Sequence, residues 1–280
     1  MVRIPLGAWV ETVVDWMVVQ LAPVFDFLTW ITGTFVEGLD NLLAAIPVWL
    51  FILLIAAIAL VISRWTISLF SAIGFYLIYN MGYWDAMLDT LALVMTSVLI
   101  SVVFGIPLGI WMSQSNRIQA IFKPVLDFMQ TMPAFVYLIP SILFFGIGLV
   151  PGIISSVIFS MPPAIRLTNL GIRQVPADLL EAANAFGSTR WQKLFKVQLP
   201  LALPSIMAGI NQCIMLALSM VVTASLVGAP GLGADVYRAV TQIKIGVGFE
   251  AGLAIVILAI ILDRISHQIG MKNTERRHLS

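Results

Sequence analysis

Long apolar runs alternate with short polar stretches over most of the chain. A helix needs about 20 apolar residues to cross the hydrocarbon core of a membrane. Runs of roughly this kind occur at seven places: 46–63, 66–81, 89–113, 125–149, 151–167, 203–227 and 249–266. The second run is short, and prolines interrupt the fourth and the fifth. The pattern predicts an all-α, polytopic helical membrane protein whose transmembrane domain covers residues 46–266.

The first 45 residues follow a different pattern, in which aromatic and acidic residues are mixed. The aromatic set is Trp9, Trp16, Phe25, Phe27 and Trp30, and the acidic set is Glu11, Asp15, Asp26, Glu37 and Asp40. Acidic side chains are costly within a bilayer, so five of them argue against a span. Residues 1–45 are therefore predicted to form an amphipathic, helical segment on the membrane surface.

Composition agrees with a membrane protein, and the charges indicate its orientation. The 280 residues are 60% hydrophobic and 10% charged, whereas soluble domains average about 25% charged residues. If the polar stretch at 168–202 lies inside, twelve of the fifteen basic residues lie inside and nine of the fourteen acids lie outside. Basic residues favour the cytoplasmic side. An odd number of spans then predicts residues 1–45 outside and a basic tail, 267–280, in the cytoplasm.

The polar stretch 168–202 contains one helix whose ends are marked in the sequence. Pro176 suits the first turn of a helix and Gly187 suits its end. Between them lies an apolar face formed by residues three and four apart, which are Leu179, Ala182, Ala183 and Phe186. Ala182 and Ala183 are small, so a partner backbone can approach this face closely.

A second short helix is predicted after Gly187. Ser188 is its expected N-cap, and Pro200 its expected end. Its apolar face would carry Trp191, Leu194 and Phe195, with the basic residues Arg190, Lys193 and Lys196 beside it. Two interpretations fit this local pattern equally well. The helix pair could lie on a surface of anionic lipid, or it could form a docking site for a soluble partner.

The spacing of this stretch resembles a known motif. Glu181-Ala182-Ala183, then Gly187, then Val197-x-Leu199-Pro200 is similar to the EAA loop of bacterial ABC importer permeases, with Val197 where the family has Ile. In that family the loop is a coupling helix that fits into a groove of the ATPase subunit. The resemblance and the apolar face together assign ATPase coupling to Glu181, Ala182, Ala183, Phe186, Gly187, Leu199 and Pro200. The sequence leaves open whether Glu181 meets the partner or Arg190.

Two of the candidate spans contain prolines and polar residues at membrane depth. The segments are 130–140 and 160–166, and Asn211 and Gln212 add polar groups to the sixth span. Irregular backbone at such a depth lines a cavity or a helix interface, so packing kinks are an alternative to a translocation path. As path residues we predict Gln130, Thr131, Met132, Pro133, Asn211 and Met215.

The same segments resemble the osmoprotectant branch of these permeases, which imports glycine betaine, proline, carnitine or choline. The matching stretches are 130–137, 161–166 and 228–233, and the sequence is similar to the glycine betaine permease of Gram-positive bacteria. The resemblance implies the transmembrane domain of a type I ABC importer in a bacterial plasma membrane. It also implies a permease homodimer, two ATPase subunits and an extracellular binding protein or lipoprotein.

No residue pattern indicates catalysis. The sequence has no G-x-x-x-x-G-K-[ST] phosphate loop, and His267 and His278 are not spaced as metal ligands. No metal, cofactor or nucleic-acid partner is therefore expected, and ATP hydrolysis is assigned to a separate subunit. The alternatives are an ion-coupled secondary transporter of small zwitterions and a membrane scaffold protein, and the long EAA-like loop argues against both.

Overall fold

The chain folds into a bundle of α-helices. The structure is a computed structural model that describes residues 5–278, except for the side chains of Leu6 and of residues 269–278. The helices are α1 (Leu6–Gln20), α2 (Ala22–Ala44), α3 (Val48–Ile62), α4 (Trp65–Asn80), α5 (Trp84–Gln114), α6 (Asn116–Thr131), α7 (Ala134–Phe145), α8 (Leu149–Arg173), α9 (Ala177–Ala185), α10 (Arg190–Lys193), α11 (Leu199–Ser219), α12 (Val221–Ser225), α13 (Leu232–Thr241) and α14 (Ile245–His278). A π-helical turn, Leu194–Gln198, joins α10 to α11.

Four of the described helices are long and apolar enough to cross a membrane: α5, α8, α14 and the continuous helix Arg190–Ser219. The pairs α1–α2 and α6–α7 are bent by 71° and 101°, and each could count as one further span, which makes six. The predicted runs at 46–63 and 66–81 became α3 and α4, with 15 and 16 residues. The number of seven spans stays a prediction.

The run predicted at 125–149 is not one helix. It is divided between α6 and α7, which meet at 101°. Met132, the residue before Pro133, has the extended conformation with φ −68° and ψ 136°. A residue before proline is disfavoured in helical conformation because the proline ring crowds its backbone, and here that preference ends α6.

The predicted break at 160–166 was wrong, because α8 continues through Pro162 and Pro163 to Arg173. Both prolines are buried between neighbouring helices. Neighbouring helices can satisfy or shield the backbone groups that proline frees in a membrane. The polar stretch predicted at 168–202, called the coupling stretch below, therefore leaves the bundle at 174 rather than at 168.

Small residues let α5 and α8 lie close together and in the same direction. On α5, Ser97, Ser101, Gly105 and Gly109 are spaced four apart and all are buried. Ser101 Oγ lies 3.1 Å from Ser160 Oγ of α8. Spacing of small residues by four brings membrane helices into close contact, and this pair forms the centre of the bundle.

The N-terminal segment is helical, and α2 packs against α5, α7 and α8. Phe25 of α2 stacks on Phe144 at the end of α7, with ring centroids 4.4 Å apart. Gly33 faces Val150 at the beginning of α8. The stretch 228–233 also packs on α5, where the Leu232 N–H donates to Thr90 Oγ1 at 2.9 Å.

Candidate coupling surface and translocation cavity

The helix α9 begins and ends where the sequence predicted. Pro176 precedes it with φ −53° and ψ 136°, and Gly187 follows it with φ +73°. The N–H of Gly187 donates to the Asn184 carbonyl at 2.9 Å, and the N–H of Ser188 donates to the Ala183 carbonyl at 3.0 Å. This is a Schellman motif, which ends α9 and reverses the chain.

The predicted apolar face of α9 has no cover within the subunit. Phe186 is 91% exposed and Leu179 is 45% exposed. Ala182 is also exposed, and Ala183 is half-buried. Large apolar side chains on one unpartnered face mark an interaction surface.

The second short helix starts one residue later than predicted. Thr189, not Ser188, is the N-cap of α10: Thr189 Oγ1 accepts from the Gln192 N–H, and Gln192 Oε1 accepts from the Thr189 N–H. This reciprocal capping box satisfies two N–H groups rather than one. Lys193 Nζ donates to Asn184 Oδ1 at 3.0 Å and ties α10 to α9.

Glu181 is exposed and forms no ion pair with any side chain the structure describes. The Lys193–Asn184 contact, and not a Glu181–Arg190 pair, holds the two short helices together. Glu181 is therefore available to a partner.

Pro200 does not end the second helix, so that prediction was wrong. The chain passes from α10 through the π-helical turn directly into α11, with Pro200 in the first turn of α11. The Leu199 N–H bonds to the Leu194 carbonyl five residues back. A π turn is wider than an α turn and accommodates the proline. The chain from Arg190 to Ser219 is therefore one continuous helix.

Leu194 anchors this junction, while its aromatic neighbours stay exposed. Leu194 is buried with Ile172 and Ala202. Trp191 and Phe195 stack with centroids 5.9 Å apart and are both more than half exposed. They border a groove of 870 Å³ that continues to Trp111 of α5. The three residues predicted to share one apolar face therefore separate, because Leu194 is buried in the subunit while Trp191 and Phe195 remain exposed.

Polar contacts fasten the other helices at the coupling end. Arg173 at the end of α8 donates to Asn169 Oδ1, to Asn116 Oδ1 and to the Met112 carbonyl, at 3.0, 2.6 and 3.0 Å. Arg166 pairs with Asp127 of α6 at 2.8 Å. These contacts hold α5, α6 and α8 together beside the coupling stretch.

Three of the six predicted path residues line one cavity of 310 Å³. They are Gln130 of α6 and Asn211 and Met215 of α11. The other lining residues are Pro163, Gln212, Leu216 and Asp263. Asn211 Oδ1 is buried and accepts no hydrogen bond from the described residues. The structure thus brings together polar groups from three helices, α6, α11 and α14.

The remaining predicted path residues lie elsewhere, and the sequence analysis missed the lining residue Asp263. Thr131, Met132 and Pro133 form the break between α6 and α7 and do not line this cavity. Asp263 was missed because its apolar run appeared to end near 266, where an acid looks like a boundary residue. The available signal was a carboxylate inside an otherwise apolar span.

A comparison with protein families identifies the chain. The model of the family described as binding-protein-dependent transport system inner membrane component matches residues 101–272. The chain belongs to this family. The permease is 59% identical over 274 residues to the glycine betaine transport system permease protein OpuAB of Bacillus subtilis, covering 98% of this chain and 97% of that protein.

Two further relatives are also named as glycine betaine transport permeases. GbuB of Listeria monocytogenes, a glycine betaine/carnitine transport permease protein, is 55% identical over 96% of both chains. ProW of Escherichia coli, a glycine betaine/proline betaine transport system permease protein, is 47% identical and covers 98% of this chain and 77% of ProW. These similarities confirm the osmoprotectant branch of ABC importer permeases that the sequence resembled.

Solved structures support the fold. Inward-facing conformations of the MetNI methionine ABC transporter match with a TM-score of 0.62 at 23% identity, covering 66% of this permease and 93% of that chain. A second crystal form of the same transporter matches with a TM-score of 0.64 at 22% identity, covering 69% of this permease and 96% of that chain. The predicted type I ABC importer transmembrane domain is confirmed.

Family membership settles the class of function. The permease is a multi-pass protein of the bacterial plasma membrane and a transport subunit rather than an enzyme. It works with a separate ATPase subunit and a substrate-binding protein. The ion-coupled secondary transporter and the scaffold protein are thereby excluded.

Proposed function

We propose that the permease forms the translocation path of an ABC importer for compatible solutes such as glycine betaine. The substrate class rests on the names of OpuAB, GbuB and ProW, all of which include glycine betaine. Two permease copies assemble with two cytoplasmic ATPase subunits, and an extracellular binding protein delivers the solute. The N-terminus lies outside and the C-terminus lies in the cytoplasm. Residues 1–45 form an external segment, and 267–280 form the cytoplasmic tail, most of whose side chains lie outside the described residues.

The exposed apolar face of α9 is the observation that carries the coupling role. Phe186 protrudes almost completely from the subunit, and Ala182 and Ala183 beside it are small. A helix that presents one large anchor and two small residues suits a groove. Glu181 meets the ATPase, while Gly187, Leu199 and Pro200 shape the exit into α11.

The path itself lies between permease copies. Gln130, Asn211 and Met215 face the 310 Å³ cavity, and Gln130 and Met215 are exposed on the isolated subunit. Thr131, Met132 and Pro133 contribute the hinge between α6 and α7, which borders the path. Because α11 carries Asn211 and is continuous with α10 of the coupling stretch, ATPase movements reach the cavity through this helix.

Ala183→Trp tests the coupling surface. A large side chain on this face overfills the ATPase groove and weakens docking by about 1–3 kcal/mol, as overpacking does in protein cores. We expect loss of ATPase subunits from the purified complex, or hydrolysis that no longer drives uptake. ATPase stoichiometry, hydrolysis and uptake are measured on the same preparation.

Ala185→Trp is the matched control, because Ala185 is exposed on α9 but lies off the Leu179–Phe186 face. It should keep the ATPase and the uptake. Full uptake by Ala183→Trp would overturn the assigned surface. An equal loss of uptake in both variants would show that α9 tolerates no large side chain on either face, and that the Leu179–Phe186 face is not the specific docking surface.

A further inference from the structure

A carboxylate lines the cavity without a counter-charge. Asp263 lies on α14 within the candidate span Ile245–Gln268. It forms no ion pair with any side chain the structure describes, and neither lysine nor arginine lines the cavity. An ionisable residue inside a span is expensive and points to a substrate or ion pathway.

We propose that Asp263 and the surrounding amides form a transit site for the quaternary ammonium group of the solute. This inference rests on the proposed import of compatible solutes and adds a binding site on the permease itself. The Asp263 carboxylate faces the cationic head. The side-chain amides of Gln130, Asn211 and Gln212 can donate hydrogen bonds to the carboxylate end of a zwitterion.

The composition of the walls favours this class of ligand. Pro163, Met215 and Leu216 supply apolar surface for the methyl groups of an ammonium head. The negative charge repels free anions, and nothing on the walls compensates it. At 310 Å³ the cavity lies at the small end of ligand pockets, which span about 300–1,000 Å³.

The site is built for passage rather than for tight capture. No aromatic ring lines the cavity among the described residues. Tight recognition of quaternary ammonium uses aromatic cages, so a lone carboxylate with amides holds the solute weakly. Weak binding lets the solute leave toward the cytoplasm.

Chemical protection at Met215 tests the site without the binding protein. The permease–ATPase complex carrying Met215→Cys is reacted with a neutral maleimide in membrane vesicles, and buried Cys213 leaves the background low. Glycine betaine and choline at high millimolar concentration should slow the reaction several-fold. Sodium acetate at the same concentration should not. Equal protection by acetate, or none by either ammonium compound, would overturn the proposal.

Asp263 is tested in the Met215→Cys background. Asp263→Asn should abolish the protection, and Asp263→Glu, which keeps the charge, should retain it. Glu250→Gln, an exposed carboxylate at the other end of the same helix, is the control and should also retain it. Protection that survives Asp263→Asn contradicts the role of the carboxylate. If Asp263→Asn fails to assemble, the choline and acetate comparison still decides the charge preference.

Uptake separates this site from the function on which it rests. With Met215 unchanged and the binding protein present, Asp263→Asn should lower the maximal uptake rate about tenfold, equivalent to about 1.4 kcal/mol. The half-saturating concentration, set by the binding protein, should stay the same. Absence of glycine betaine uptake by the unaltered complex would overturn the proposed function. Normal uptake by both forms would overturn only the transit site.

Discussion

At the residue scale, the backbone conformation of Gly187 restricts which side chains this position of the coupling stretch can carry. Gly187 has φ +73°, and an added Cβ there would meet no atom within 4 Å. The space is open, so only the backbone conformation restricts the side chain within the subunit. This left-handed conformation costs most residues roughly 1–2 kcal/mol, and asparagine adopts it more readily.

The pair Gly187→Val and Gly187→Asn isolates that effect. Valine should distort the turn between α9 and α10 and reduce coupled uptake, because a β-branched residue disfavours positive φ. Asparagine, of similar size, should keep most of the uptake. The measurement is uptake per ATP hydrolysed by each reconstituted variant. If both variants lose coupling equally, the residue at this position is restricted by a close contact with the ATPase and not by the positive φ of Gly187.

Helix pairs show what the sequence could and could not predict. The ends of α9 were predicted correctly because Pro176 and Gly187 act locally, through backbone conformation. Pro133 ended a helix and Pro163 did not, although both lie in apolar runs. The difference comes from tertiary packing: Pro163 is buried between helices, whereas Pro133 is exposed. Local sequence does not encode that difference.

The contact between α5 and α8 is sensitive to side-chain size. A Cβ on Gly109 would lie 2.6 Å from the Ile165 carbonyl oxygen and 2.7 Å from Thr168 Cβ. Gly109→Val therefore forces α5 away from α8. We expect a loss of about 1–3 kcal/mol, measured as a lower aggregation temperature of the purified permease.

Gly252→Val is the control for Gly109→Val. Gly252 lies within the α14 span, and nothing is within 4 Å of an added Cβ. The same chemical change should leave the aggregation temperature nearly unaltered. A similar fall in both variants would mean that valine disturbs these spans through helix propensity rather than through the α5–α8 contact.

At the scale of the whole molecule, one continuous helix, Arg190–Ser219, connects the coupling stretch to the cavity. The EAA spacing predicted the coupling stretch from sequence, and the polar or flexible residues in the candidate spans predicted three of the seven residues that line the cavity. The sequence marks Asp263 as an acid in an apolar span but does not place it beside Gln130 and Asn211, which are 133 and 52 positions away along the chain. Only the packing of α6, α11 and α14 brings these groups together.

The orientation of the whole bundle is the last prediction. Basic residues concentrate at the end that carries α9, and such residues are retained in the cytoplasm. Single cysteines at the exposed positions Ala120 of α6 and Asp178 of α9 should react with a membrane-impermeant maleimide only after the cells are opened. Cysteines at Asp85 and Gln242, exposed at the opposite end, should react with intact cells. Native Cys213 is buried and provides an unlabelled background. Labelling of Ala120→Cys in intact cells would place the α9 face outside, where no ATPase can reach it, and the coupling proposal would fall together with the orientation.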